Sequence, residues 1–201
     1  MTKKKPRPVF DFDNPPWPYV LEDRLKRFFG LLLIYGPYVR SLRLPAGAKV
    51  LDLGCGGASE TLALLRAVGP AGQVTCVDTS KYWIDRARRR LARYPNAECL
   101  HGDIRLLDIG EESFDAAVAI RVIHDIAPDV RAETAAAIAS KLRPRGLFFV
   151  WEPTRPGHGM TVEEIRKLFS DAGLREASSA VGKRSYKGKF EKPGKTREDE
   201  P

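Results

Sequence analysis

Val50-Leu51-Asp52-Leu53-Gly54-Cys55-Gly56-Gly57-Ala58 is the stretch that decides the fold. A short apolar strand over 49–53 runs into a turn with three glycines, and a helix follows over 59–68. Glycine lets a backbone turn tightly and approach a ligand closely. One carboxylate, Asp52, sits inside the strand end. A dinucleotide fingerprint would want a further glycine at position 59, where this chain has Ser59.

The same rhythm repeats outward from that stretch. Short apolar runs over 74–77, 97–101, 114–120 and 147–151 read as strands. Helical patterns cover 81–93, 131–142 and 161–172. Thr161 with Glu164 three residues on forms a capping box, and Gly173 ends that helix. The last segment reads as an antiparallel hairpin, 174–181 with 185–190, around Gly182. Strands alternating with helices predict βαβ units and a mostly parallel sheet with its first strand near the middle. A ligand then belongs at the carboxyl ends of the strands.

The chain has 201 residues, a formal net charge of +8 and 43% hydrophobic residues. That composition excludes a disordered chain, a collagen and a disulfide scaffold. Three cysteines (Cys55, Cys76 and Cys99) cannot all pair, which favours a reducing cytoplasm. No apolar run with a cleavage site follows Lys3-Lys4-Lys5-Pro6, and no stretch is long enough to span a bilayer. The three histidines share no metal-ligand spacing, and no cysteine cluster supports zinc, so no metal is expected.

The charge is unevenly placed. Residues 1–8 hold four basic and no acidic side chains, and residues 182–201 hold seven against four, so the body is nearly neutral. Residues 1–18 read as an extended basic, proline-rich arm, and 19–44 as a helical lid. The main domain covers 45–192, with a charged tail over 193–201. Basic ends suit solvated tails first, and nucleic acid or an anionic membrane second.

Four places at predicted strand ends carry polar chemistry. They are Asp52 beside the glycine turn, Asp78 ending the second strand, Gly102-Asp103-Ile104 after the third, and Arg121-Val122-Ile123-His124-Asp125 after the fourth. A carboxylate in Asp78's position can take both hydroxyls of a ribose.

On these residues, together with Val77-Asp78-Thr79-Ser80 and Leu142-Arg143-Pro144-Arg145-Gly146, the chain resembles the class I S-adenosylmethionine-dependent methyltransferases. The resemblance spans roughly 45–192 and leans to the small-molecule branch. It implies a Rossmann-like α/β fold: a seven-stranded, mostly parallel sheet, helices on both faces and a C-terminal antiparallel hairpin. It implies S-adenosyl-L-methionine as cofactor, with Gly54, Cys55 and Gly56 passing its methionine end. Asp52 would orient the ammonium through water, and Asp78 would hold the ribose. Thr79 and Ile104 would lie against the adenine, Asp103 would accept from its amino group, and Arg121 would offer a backbone carbonyl. Ala58 and Arg145 stand where the family often has glycine.

The acceptor side is less specified. His124 is the expected base, with Asp125 as its partner or substitute. Glu152 and His158 follow the fifth strand and would face the acceptor. Trp17, Tyr19, Tyr35 and Tyr38 offer an aromatic lid suited to a small, apolar or lipid-like acceptor. The apolar stretch Leu31-Leu32-Leu33-Ile34 beside basic residues adds peripheral membrane contact through residues 1–44. Methylation of nucleic acid or protein is the alternative, and nucleic acid is disfavoured because no Asn/Asp-Pro-Pro-Tyr/Phe motif follows the fourth strand. A cofactor-binding protein without turnover is the third reading.

Overall fold

A computed structural model of the chain describes residues 11–18, 20, 21 and 26–194. Tyr19, the first ten residues of the arm and residues 195–201 of the tail lie outside the described residues.

Five parallel strands form the centre: β1 (Lys49–Leu53), β2 (Gln73–Asp78), β3 (Ala97–His101), β4 (Phe114–Ile120) and β5 (Leu142–Arg155). A two-residue strand, β6 (His158–Gly159), folds back on β5. The hairpin of β7 (Arg175–Val181) and β8 (Ser185–Glu191) completes the sheet, whose order is β3-β2-β1-β4-β5-β8-β7. β8 runs antiparallel to both β5 and β7. β1 pairs with β2 on one side and β4 on the other, so strand order reverses at β1, as expected of a chain that starts in the middle.

Alternation sorts the strand side chains between two cores. Val50 packs on one face with Leu64, Val68, Val74, Ile84 and Phe149. Leu51 and Leu53 pack on the other with Ile138, Phe148, Ile165 and Phe169. The first face is covered by α3 (Ser59–Val68) and α4 (Lys81–Leu91), the second by α5 (Arg131–Lys141) and α6 (Val162–Asp171). The Thr161 capping box is present. Gly188 leaves room on β8 for two rings, since a Cβ there would stand 2.6 Å from Tyr186 and 2.8 Å from Phe190.

Three expectations need correction. The fifth strand is much longer than 147–151. The Arg143-Pro144-Arg145-Gly146 turn lies inside it as an irregularity in the pairing with β4, where Arg145 takes a left-handed φ of 63°. The two-residue β6 was not expected at all. The helical lid expected over 19–44 contains, over Lys26–Tyr35, a π-helix, here α1, followed by α2 (Gly36–Leu42). Pro37 sits at the start of α2, where its missing N–H costs nothing. Gly36 permits the handover, because a Cβ there would stand 2.3 Å from the Leu31 carbonyl oxygen.

Candidate functional site

The carboxyl ends of β1, β2 and β3 meet around the glycine turn. Gly54 and Gly56 have φ of 66° and 51°. The two glycines are needed for different reasons. A Cβ on Gly54 would stand 2.4 Å from Val122 Cγ2, so Gly54 serves packing against the segment after β4. A Cβ on Gly56 would meet nothing within 4 Å, so the space beside it is open. The Gly56 N–H donates to Asp78 Oδ2 at 2.8 Å. Ala58 also adopts a left-handed φ, 63°, at the helix entrance, and Cys55 is fully buried beneath the turn.

Asp52 is 1% exposed and lies under this turn. Its Oδ2 accepts from Thr61 Oγ1 at 2.6 Å, while Oδ1 is buried without a partner among the described residues. Burial pushes its pKa up to about 7, opposed by the Thr61 bond and reinforced by nearby Asp78. A carboxylate buried with one unanswered oxygen is suited to a cationic or hydrogen-donating ligand.

Asp78 also titrates above the ordinary carboxylate value. Burial is the main cause, countered by the N–H groups of Ser80 and Gly56. The Ser80 N–H reaches Asp78 Oδ1 at 2.9 Å. Two donors therefore use part of a carboxylate that offers about four acceptor directions. Thr79 is exposed, and its carbonyl accepts from His101 Nε2 at 3.0 Å.

Asp103 accepts from the Arg105 backbone N–H and from its guanidinium at 2.7 to 3.1 Å, which holds the carboxyl below its ordinary range. Ile104 beside it is 3% exposed and belongs to the core. Sequence reasoning missed Thr61, Arg105 and Arg90. The Arg90 guanidinium donates to the Gly57 carbonyl and to Ser59 Oγ, fastening the turn from α4. No sequence signal marks such a tie. Ser80, which caps α4 and holds Asp78, was not singled out either.

Past β4 and β5 the arrangement changes. Arg121 has a left-handed φ of 61°, and its N–H donates to the Trp151 carbonyl. Glu152, expected to face an acceptor, is fully buried instead. One of its oxygens accepts from the N–H groups of Val122 and Ile123 at 2.9 and 2.8 Å. The other lies 2.6 Å from His124 Nδ1. A carboxylate only accepts, so that proton sits on Nδ1. His124 Nε2 faces Asp125 Oδ1 at 3.4 Å, and its side chain is 2% exposed. Nδ1 of the expected base is therefore committed to Glu152, and a neutral ring offers Asp125 only a lone pair at Nε2. His158 packs edge-on against His124, with ring centroids 4.9 Å apart. It is partly exposed, and its pKa lies below the ordinary imidazole value through burial and the neighbouring His124 and Arg155.

The aromatic lid is divided. Tyr35 and Tyr38 are buried in the core, Tyr38 against Trp151 at 4.9 Å, so neither lines an open space. Trp17 is 74% exposed, and Phe29 and Leu33 also stand in solvent. Among the described residues no group of three or more ligating side chains could hold a metal, and no helix is long and apolar enough to cross a membrane.

Residues 50–146 match the model of a methyltransferase domain family. Over 77 residues, 38% of this chain and 32% of the relative, the sequence is 35% identical to a demethylmenaquinone methyltransferase of Staphylococcus aureus. The chain spans about a third of the length of the curated relatives it matches. A SAM-dependent methyltransferase from Aquifex aeolicus superposes with a TM-score of 0.73 at 18% identity, over 86% of this chain and 97% of that one. The 1,6-didemethyltoxoflavin-N1-methyltransferase of Burkholderia thailandensis, with bound substrate and S-adenosylhomocysteine, superposes with a TM-score of 0.66 at 20% identity, over 90% and 91%. At those identities the likeness is one of fold.

Proposed function

We propose that this chain, whose residues 50–146 match a methyltransferase domain family, transfers a methyl group from S-adenosylmethionine to a small-molecule acceptor. The observation that carries the reading is the open space at Gly56, whose N–H is held by Asp78, with the buried, unpartnered oxygen of Asp52 at the neighbouring strand end.

Each end of the cofactor has residues suited to it. The unanswered oxygen of Asp52 orients the ammonium, and the Gly54–Gly56 backbone accommodates the methionine chain. Asp78 keeps acceptor directions for two ribose hydroxyls. Asp103, held in place by Arg105, would accept from the adenine amino group, with exposed Thr79 near the ring and core Ile104 behind it. Arg121 offers its carbonyl to the amine. When bound, the cofactor supplies a methyl already activated by sulfonium. What remains for this chain is to align the acceptor, exclude water and take a proton.

For the proton, His158 is the better base. His124 is buried with its Nδ1 committed to Glu152, whereas His158 is partly exposed and burial lowers its pKa. Glu152 and His124 then act as positioning residues behind it. An apolar, quinone-like acceptor is supported by the Staphylococcus aureus relative and by the exposed Trp17, Phe29, Leu33 and Ile34. The same side chains are compatible with peripheral contact to a lipid surface. A nucleic-acid substrate is less well supported. Two of the arginines around α4 are partly buried, Arg86 over the rings of Tyr82 and Trp83 and Arg90 against the glycine turn.

Thermal melts with S-adenosylhomocysteine test the cofactor assignment. A rise in Tm that grows with ligand concentration is expected. An unchanged Tm at millimolar ligand overturns it.

A further inference from the structure

The N-terminal arm does not simply trail away from the sheet. Residues 11–14 lie against the end of β2 and the start of α4. The Phe12 carbonyl accepts from Ser80 Oγ at 2.8 Å, and Asp13 Oδ1 accepts from the Tyr82 N–H at 3.4 Å. The segment reaches that seat as a closed turn. Asp11 Oδ1 accepts from the N–H groups of Asp13 and Asn14, and its Oδ2 accepts from the Asn14 amide.

Ser80 joins this turn to the site. It is 2% exposed, its N–H holds Asp78, and its hydroxyl oxygen caps α4 by accepting from the Trp83 N–H. A hydroxyl has one proton, and the carbonyl of Phe12 can only accept, so the proton goes to Phe12. The chain of contacts Phe12–Ser80–Asp78 therefore runs from the arm to the carboxylate assigned to the ribose. Asp13 adds a second negative charge close enough to raise the pKa of Asp78.

We propose that Phe12 and Asp13 form the outer wall of the nucleoside end of this site, with Ser80 tying that wall to Asp78. The proposal rests on the cofactor reading above. It also gives the site a selectivity. Asp78 at Gly56, with Asp13 close behind it at the start of α4, favours a ligand that donates, a ribose diol on a cationic sulfonium compound. The two carboxylates disfavour a ribose that carries phosphate, since like charges brought together cost free energy.

The experiment is calorimetric titration of S-adenosylhomocysteine into the full chain, into Asp13→Ala and into Ser80→Ala. Hydrogen exchange of residues 11–14 is followed with and without ligand. Losing one anchoring hydrogen bond weakens binding by roughly 3- to 10-fold in each variant. Asp13 is exposed, so the melting temperature of ligand-free Asp13→Ala stays that of the parent, which separates a binding effect from a folding one. Ligand slows exchange at Asp13 and Asn14. Equal affinity in the parent and Asp13→Ala, or tighter binding in the variant, overturns the wall and leaves the cofactor assignment standing. Absence of binding to the parent chain overturns both.

Discussion

The two halves of the rim are held together differently. Over β1, β2 and β3 the parts are small and repeated: a glycine turn, and one carboxylate at each successive strand end with partners of its own, the Thr61 hydroxyl for Asp52, the Gly56 and Ser80 N–H groups for Asp78, and Arg105 for Asp103. Over β4, β5 and β6 a single buried carboxylate, Glu152, holds three consecutive residues that lie 28 to 30 positions upstream. A repeated local pattern survives the loss of one member. A hub does not, because its removal leaves several buried groups unpaired at once.

The largest expected effect follows from that contrast. Glu152→Ala strands the N–H groups of Val122 and Ile123 and the His124 ring in a dry environment. It costs about 3–5 kcal/mol of stability in urea unfolding, the usual range for breaking a buried charged pair. A loss below about 1 kcal/mol would remove the distinction between the halves. Gly54→Ala comes next, at about 2–4 kcal/mol. The new methyl collides with Val122 and the backbone is held at positive φ. Adding Val122→Ala restores part of the loss if the collision, rather than φ alone, is the cause.

Asp52 gives a smaller, pH-dependent effect. Its pKa is about 7 in the folded chain against an ordinary 3.8, so the folded state binds the proton more readily. Asp52 therefore opposes folding above pH 7, and that opposition fades as pH falls towards 3.8. Lowering pH from 8 to 6 raises the stability of the parent by about 1 kcal/mol relative to Asp52→Asn, read from paired urea titrations. An identical pH dependence in the two proteins would place Asp52 in contact with water. The smallest change sharpens the reading of a loop. Arg145 is exposed at φ 63°, so Arg145→Gly relieves left-handed strain and gains about 0.5 kcal/mol after the glycine entropy cost.

What could be read in the sequence follows the same division. The strands at 49–53, 97–101 and 114–120 and the helix at 59–68 have the bounds their apolar patterns predict, because each alternates or repeats within its own few residues. Asp52, Asp78 and Asp103 were visible as carboxylates at strand ends, since the βα rhythm fixes where those ends fall. The partners that condition them were not visible. Thr61, Arg90 and Arg105 carry no local signal, and Glu152 looked like a rim residue because nothing nearby in sequence predicts its burial.

Sequence by itself determined the α/β rhythm, the sheet with β1 at its centre, and the acids that end its strands, because these depend on periodicity and on glycine's backbone freedom. Only the tertiary structure decided which histidine is left with a free face, which tyrosines vanish into the core, and that the Phe12–Asp13 turn is seated on Ser80. Those outcomes depend on hydrogen bonds and packing between segments tens of residues apart, and a burial of that kind is settled only when distant chains compete for the same space.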